Sequence, residues 1–331
     1  MTTSKPTPVI FNHSAAIDDF VSTAVLSSMP NIDIKGIVVT NADCIATPAM
    51  DTSSKVHQFL GLEKKNIPLT LSMARGWNAF PWSYRKDCIT MGTIESLYPF
   101  KSHVTPPYQS GEDMIEVLLL EAMIMSEPVI VLATGPITAI TTVLKRRPEL
   151  IKGIKKVIWM GGAIFVKGNL YDKTVSVPRE IANDKAEWNA FWDPFAVNEL
   201  FTTFSGIHMF PLDITDKAKI TDAFKTELAA QAKDFNLSQF VSEAYGLVKD
   251  EPFYEMWNTL ATCFLGTAAN DIFADPEEIS LTIEEWGNDT QGWIHQMENR
   301  NAQSVYFNLK NSDAFYDYVL QQLKANVEDN D

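Results

Sequence analysis

The sequence predicts an α/β fold, in which a mostly parallel central sheet is flanked by helices and followed by a helical C-terminal part. Short apolar runs typical of buried strands alternate along the chain with segments whose apolar residues have helical spacing. This alternation is typical of a parallel sheet covered by helices on both faces. The chain has 331 residues, of which 46% are hydrophobic, so it can bury a large core.

The first strand–helix units are predicted within residues 8–71. An apolar run begins the series, and Pro48 favours a helix start because the first turn does not need its missing N–H. In chain order we expect a strand at 8–11, a helix at 18–28, a strand at 34–40, a helix at 48–60 and a strand at 67–71. Residues 77–105 are aromatic-rich and irregular, which predicts a loop with short helices.

Further units follow in the same alternation. We expect a helix at 111–126, a strand at 128–133, a helix at 136–146, a strand at 156–160, a helix at 193–201 and a strand at 208–212. Beyond residue 213 the pattern is mainly helical, with strand-like runs near Ile279 and Val305. The sequence shows no internal repeat, low-complexity tract or break in composition, which predicts one domain over residues 1–331. The polar residues 1–8 are expected to lack regular structure.

Charge and cysteine content exclude several classes of function. The net charge is −15 and no cluster of Lys or Arg stands out, so nucleic acid and anionic membranes are not expected partners. The N-terminus has no apolar signal-peptide core, and no run approaches the ~20 apolar residues of a membrane span. Three cysteines without a CxxC pair favour a reducing compartment, and we expect a cytoplasmic protein.

Polar residues follow several of the predicted strands, where parallel sheets bind their ligands. Asp18 and Asp19 follow the first strand, and Thr134 follows the strand at 128–133. Each feature has a structural explanation when it is taken alone, because acids and threonines commonly cap helices. Their order is more informative. In chain order the motifs are Asp18-Asp19, Thr40-Asn-Ala-Asp43, Thr134-Gly-Pro136, Met160-Gly-Gly162, Glu187-Trp-Asn189 and Trp192-Asp-Pro194.

This ordered set resembles the nucleoside hydrolases, and most closely their purine-preferring, inosine–adenosine–guanosine branch, over residues 9 to about 265. The resemblance implies hydrolysis of the N-glycosidic bond of ribonucleosides, with a bound calcium that holds the attacking water and the ribose diol. It also implies a small-molecule partner, a nucleoside or ribose, and a homo-oligomer.

The resemblance assigns roles to individual positions. Asp19 matches a calcium ligand, the carbonyl of Thr134 matches another, and Asp18 matches the acid that accepts the ribose 2′-hydroxyl. The residues matching contacts to the remaining ribose hydroxyls are Asn169, Glu187 and Asn189. Asn41 lies where a polar residue approaches the base and ribose, and the aromatic positions near the nucleoside are Tyr84, Trp188 and Trp257.

The sequence departs from the family pattern at the metal and at the base. Asn12 replaces the first Asp of the motif, and Ser14 replaces the Asp that acts as general base and metal ligand. Ala16 replaces an expected Asn, and Asn258 replaces the acid that completes the calcium shell. Because calcium affinity depends on the charge of its ligands, the calcium site is expected to be weakened or absent. His13 cannot substitute for the base, since on a strand it points to the opposite face from its neighbour.

Two hypotheses follow. The chain is either a purine nucleoside hydrolase with impaired or altered chemistry, in which Asp18 or Asp43 stands in as base, or a nucleoside- or ribose-binding pseudoenzyme that acts as a sensor or partner subunit. A hydrolase of a different glycosidic substrate is a third reading.

Overall fold

The computed structural model describes residues 5–102, 106–170, 183–251, 253–287 and 289–327. Within these residues, nine strands form one sheet in the order β3-β2-β1-β4-β5-β6-β9-β7-β8. The strands are β1 Thr7–His13, β2 Ile32–Val39, β3 Leu69–Leu71, β4 Val129–Ala133, β5 Ile154–Met160, β6 Ile207–Phe210, β7 Glu277–Ile283, β8 Ile294–Gln296 and β9 Ala302–Val305. Strands β1 to β6 and β9 pair in parallel, whereas β7 is antiparallel to both of its neighbours. The predicted mostly parallel α/β fold is confirmed.

Helices cover both faces of the sheet. They are α1 Ile17–Ser28, α2 Ala46–Phe59, α3 Trp82–Arg85, α4 Asp87–Met91, α5 Gly111–Met125, α6 Thr138–Arg146, α7 Trp188–Trp192, α8 Pro194–Thr203, α9 Leu212–Thr215, α10 Asp222–Gln231, α11 Asn236–Gly246, α12 Trp257–Cys263, α13 Ala269–Ile272 and α14 Ser312–Leu323. Short 3-10 helices lie at Glu95–Leu97 and Pro148–Gly153. None of these helices has the length and apolar character needed to span a bilayer.

Alternation along β1 divides the core into two layers. Val9 and Phe11 face one apolar cluster, which includes residues of α1, α2, α11, α12 and α14, whereas Ile10 faces a second cluster formed with α5, α6 and α8. Successive strand residues point to opposite faces, so a central strand in a covered sheet must be apolar on both. This explains why β1 reads as a continuous apolar run in the sequence.

Several predicted boundaries change in the structure. Residues 1–8 are expected to lack structure, but Thr7 and Pro8 already pair with β2, and residues 1–4 lie outside the described part of the chain. The strand predicted at 208–212 ends at Phe210, because Pro211 carries no N–H for the ladder and α9 begins next. The helical C-terminal part also contributes β7, β8 and β9 to the sheet. Of the irregular stretch predicted at 77–105, residues 103–105 are not described.

Candidate functional site

A cavity of about 630 Å³ opens at the carboxyl ends of the parallel strands, where the sequence predicts a ligand site. Seven of the predicted polar residues line it: Ser14, Asp43, Thr134, Asn169, Glu187, Asn189 and Asn258. The predicted aromatic residues Tyr84, Trp188 and Trp257 line it as well. Asp18, Asp19 and Asn41 are not among the lining residues. Asp18 and Asp19 are buried beneath the cavity, and Asn41 is partly buried.

The carboxylate of Asp19 is fully occupied by protein donors. One oxygen accepts from the backbone N–H groups of Ser14 and Ala16, each at 3.0 Å, and from the Ser14 hydroxyl at 3.2 Å. The other oxygen accepts from the Thr134 hydroxyl at 2.6 Å and the Asn258 amide at 2.8 Å. Burial raises the pKa of Asp19 to about 7, although these hydrogen bonds oppose the shift. The side chain therefore ties together β1, β4 and α12.

This arrangement does not fit calcium. A calcium ion takes six to eight oxygen ligands and depends on their negative charge, but Asp19 is the only carboxylate that remains of the expected three. Ser14, Thr134 and Asn258 direct their hydrogen-bond donors at that carboxylate. Within the described residues, no group of three or more His, Cys, Asp or Glu side chains is placed to hold a metal. Donors from the protein thus occupy the oxygens that a cation would need.

Asp18 has a different set of partners from those expected for a ribose acceptor. One carboxylate oxygen accepts from the hydroxyls of Tyr245 at 2.7 Å and Thr259 at 2.6 Å. The other accepts from the backbone N–H groups of Asn258 at 2.6 Å and Thr259 at 3.0 Å. These N–H groups belong to the first turn of α12 and have no partner inside that helix. Asp18 therefore caps a helix about 240 residues away in sequence, and its ribose role remains only a prediction.

Glu187 and Asn189 are held by backbone contacts. The Glu187 carboxylate accepts from the N–H groups of Gly162 at 2.7 Å, Asn189 at 2.8 Å and Ala190 at 3.2 Å. It thereby caps α7, and burial raises its pKa to about 7. The Asn189 amide donates to the carbonyls of Thr134 and Met160, both at 3.1 Å. Glu187 and Asn189 thus join α7 to the ends of β4 and β5.

Two glycines allow this close packing. Gly162 has a φ of +82°, and a Cβ there would lie 2.5 Å from the Met209 methyl carbon. A Cβ on Gly135 would lie 3.0 Å from the Cβ and backbone nitrogen of Ser14. Glycine is therefore required for the turn that presents Gly162 N–H to Glu187, and it favours the close approach of Gly135 to Ser14.

An aromatic wall lies beside these polar groups. Trp188 stacks on Phe80 with ring centroids 5.1 Å apart, and Tyr84 contacts Trp188 edge-on at 6.2 Å. Trp257 donates its indole N–H to Asp216 at 2.9 Å and lies 5.1 Å from the Tyr254 ring. Phe80 and Tyr254 were missed by sequence reasoning, although Phe80 falls in the aromatic-rich stretch that was predicted to be irregular. Phe80 and Tyr254 reach the cavity through the packing of the segments that carry them, and no local sequence pattern predicts that packing.

The region around Asp43 contains a polar atom without a partner. Asp43 lines the cavity, and its Oδ1 atom is shielded from solvent with no hydrogen-bond partner among the described residues. Burial and the charge of Asp87 raise the pKa of Asp43 well above its usual range. Arg85 opposes this shift, and its guanidinium donates to the Asn41 side chain at 3.2 Å. Asn41 thus positions Arg85 instead of lining the cavity.

Asn12 and His13 have structural roles. The Asn12 side chain accepts from the Thr40 hydroxyl at 2.7 Å and donates to the Pro136 carbonyl at 2.9 Å, which links the ends of three strands. The His13 ring contacts Phe11 and Phe20 and is buried. Burial lowers the pKa of His13 to about 3, so it stays neutral near pH 7 and accepts from the Ala15 N–H at 3.1 Å.

The chain is similar in sequence and in fold to known nucleoside hydrolases. The family model described as inosine-uridine preferring nucleoside hydrolase matches residues 9–317. A pyrimidine-specific ribonucleoside hydrolase RihA of Escherichia fergusonii is 23% identical over 299 residues, covering 86% of this chain and 85% of the relative. The crystal structure of an inosine-uridine preferring nucleoside hydrolase from Bacillus anthracis is 28% identical, with a TM-score of 0.84, covering 96% of this chain and 99% of that one. A purine-preferring ribonucleoside hydrolase from Gardnerella vaginalis shares the fold at 17% identity, with a TM-score of 0.77 and coverage of 96% and 99%.

Proposed function

The chain belongs to the inosine-uridine preferring nucleoside hydrolase family, and from this premise we propose that it binds a purine ribonucleoside without calcium-dependent hydrolysis. The family supports an assignment to ribonucleoside chemistry. The observation that carries the finer proposal is the carboxylate of Asp19, whose two oxygens accept five hydrogen bonds from the protein. A calcium-dependent enzyme needs these oxygens for its metal.

The loss of the base supports the same proposal. Attack by water on the anomeric carbon needs a group that takes the proton of the water, and a carboxylate is the usual choice for glycosidic bonds. By the family resemblance Ser14 matches the position of that carboxylate, and its hydroxyl is directed at Asp19. Asp18 is buried and already accepts four hydrogen bonds. Neither residue is therefore suited to activate water.

Features of the cavity that suit nucleoside binding are retained. One oxygen of the Glu187 carboxylate accepts from two backbone N–H groups and the other from one, which leaves capacity at the second oxygen for a sugar hydroxyl. The Asn189 amide is fixed by the ends of two strands, and its carbonyl oxygen has no partner among the described side chains and backbone. Trp188, Tyr84 and Trp257 offer flat apolar faces to a base.

The proposal is tested by calorimetric titration with inosine, uridine and ribose, each in EGTA and in excess calcium. We expect inosine to bind equally in both conditions, to bind more tightly than uridine, and to remain intact by chromatography. Inosine hydrolysis that requires calcium would contradict the proposal. Tighter binding of uridine than of inosine would overturn only the purine preference.

A paired substitution provides a readout besides activity. The double variant Ser14→Asp/Asn258→Asp restores two acids beside Asp19, so we expect calcium to raise its melting temperature while leaving that of the wild type unchanged. The matched control is Ser27→Asp/Asn326→Asp, which adds the same charge away from the cavity. A calcium-induced stabilisation of the wild type would show that the site is still a metal site.

Metal-independent hydrolysis is a second candidate, favoured by the unpartnered oxygen of Asp43. In this reaction Asp43 takes the proton of the attacking water, and the water oxygen bonds to the anomeric carbon. The electron pair of the broken N-glycosidic bond passes to the base nitrogen, which takes a proton from solvent while Asp43 returns its own proton to solvent. Turnover in EGTA that is lost in Asp43→Asn would support this candidate over the binding protein. The absence of turnover in EGTA would exclude it.

A further inference from the structure

The cavity has a strongly unequal charge balance. Among the described residues that line it, five carry carboxylates and one carries an amine: Asp43, Asp87, Glu187, Asp216 and Glu255 against Lys219. The amine is already paired, because Lys219 donates to the Glu255 carboxylate. Lys219 also attracts Asp216, which leaves Asp43, Asp87 and Glu187 without a cationic partner in the lining itself. Arg85 and Lys86 lie nearby and attract Asp43 and Asp87 respectively.

The carboxylates repel one another. After burial, the largest cause that raises the pKa of Asp43 is the charge of Asp87, and Glu187 adds to it. The pKa of Asp87 is raised to about 7 by burial and by the charge of Glu251. The pKa of Glu187 is also raised to about 7, with Asp216 contributing after burial. A positive charge in the cavity would relieve this repulsion and stabilise the ionised forms.

Asp43 and Asp87 differ from the other lining carboxylates in their hydrogen bonding. The carboxylate of neither residue accepts a hydrogen bond within the described part of the chain, and Asp43 Oδ1 is shielded from solvent as well. By contrast, Glu187 is held by three backbone N–H groups and Asp216 by the indole of Trp257. An unpartnered buried carboxylate oxygen is costly, which indicates that a ligand group supplies the missing partner.

The aromatic residues of the cavity suit the same kind of ligand. Trp188 presents a ring already packed against Phe80 and Tyr84, and Trp257 lies with Tyr254 in the same lining. The faces of such rings carry negative partial charge and attract organic cations. Aromatic rings together with carboxylates form the kind of site that recognises a flat cation better than a flat neutral ring.

We propose that the cavity selects ribonucleosides whose base carries a fixed positive charge, such as a pyridinium or N-alkylated purine riboside, over neutral nucleosides of the same shape. This inference rests on the proposed ribonucleoside binding and adds to it a preference for a positively charged base. The carboxylates of Asp43 and Asp87 attract the positive charge of the base, and Trp188, packed on Phe80, contacts its ring.

The test uses two ligands that differ only in charge. Nicotinamide riboside carries a pyridinium ring, and benzamide riboside is its neutral isostere with carbon in place of the charged nitrogen. We expect calorimetry to show at least about tenfold tighter binding of nicotinamide riboside, which is the size of a desolvated cation–π contact. In Asp43→Asn/Asp87→Asn we expect the ratio of the two dissociation constants to fall markedly but to stay above one, because the carboxylates are removed whereas the ring contacts remain. The exposed Glu63→Gln control should keep the wild-type ratio.

The outcomes separate this inference from the proposed function. If inosine and benzamide riboside bind but the two isosteres bind equally, charge selection is refuted and nucleoside binding stands. If no riboside binds, the proposed function fails as well. Should the double variant not fold, the single variant Asp87→Asn and the wild-type comparison of 7-methylguanosine with guanosine give the same decision, since a preference for the methylated cation is expected only under charge selection.

Discussion

Replacing Asp18 with alanine should destabilise the protein strongly, because Asp18 holds α12 in place. The substitution removes a buried carboxylate that accepts from Tyr245, Asn258 and Thr259. It leaves two hydroxyls and two backbone N–H groups without their acceptor, in a region where Thr259 is fully buried and Tyr245 nearly so.

The expected size of the effect follows from these contacts. A hydrogen bond to a charged group contributes about 1.5–3 kcal/mol, but four bonds to one carboxylate are not additive. The desolvation that raises the pKa of Asp18 offsets part of their contribution. Removing one partner from a buried charged network typically costs about 3–5 kcal/mol, and we expect a loss of that size in the free energy of unfolding.

Urea denaturation followed by circular dichroism measures this loss. The matched control is Asp222→Ala, which removes an acid from the first turn of α10 that is almost fully exposed, and we expect it to change stability far less than Asp18→Ala does. If Asp18→Ala is as stable as the control but no longer binds nucleoside, the reasoning is refuted. In that case Asp18 would be a ligand for ribose, as the family resemblance implies.

Three further predictions test other parts of the site. Stability should fall as pH rises from about 4 to about 7, because the folded pKa values of Asp19 and Asp87 are raised from 3.8 to about 7. Each acid stabilises the fold fully below its unfolded pKa and loses that contribution as pH rises through its folded pKa. Melting temperatures should show a weaker fall in Asp87→Asn. Gly162→Ala should lower the free energy of unfolding by about 1–3 kcal/mol in chemical denaturation, because φ is +82° and the new methyl group meets Met209. Gly246→Ala has open space around the new methyl group and should be neutral or stabilising. Equal effects of the two substitutions would contradict the packing argument. Trp188→Leu should weaken inosine binding about tenfold in calorimetry while leaving ribose binding unchanged, and an equal loss for ribose would show that the ring does not contact the base.

The parallel part of the fold could be predicted because its strands are buried on both faces. Such strands appear as continuous apolar runs, as in the whole of β4, the centre of β1 and the second halves of β2 and β5. Short elements gave no comparable signal. The helix α7 has five residues and β8 has three, which is too short to establish a period.

The candidate site was predicted in part. Motifs at the ends of strands identified the residues that the sheet brings together, since parallel strands end at one edge. Sequence reasoning missed Phe80, Tyr254 and Asp87, which now line the cavity. They lie on segments between strands or near the start of α12, and their positions depend on how those segments pack on α7 and α1. No periodic pattern encodes that packing.

The paired acids at the start of α1 show which features of the site the sequence determines and which depend on tertiary structure. The sequence alone determined that Asp18 and Asp19 follow a buried strand, that they occupy adjacent helix positions about 100° apart, and that the acids expected around them are missing. Only the fold decided what each carboxylate meets. Thr134 and Asn258 reach Asp19 from 115 and 239 residues away, and Thr259 reaches Asp18 from 241 residues away. A buried carboxylate must find donors wherever the packed chain supplies them, and donors so distant in sequence are set by tertiary structure alone.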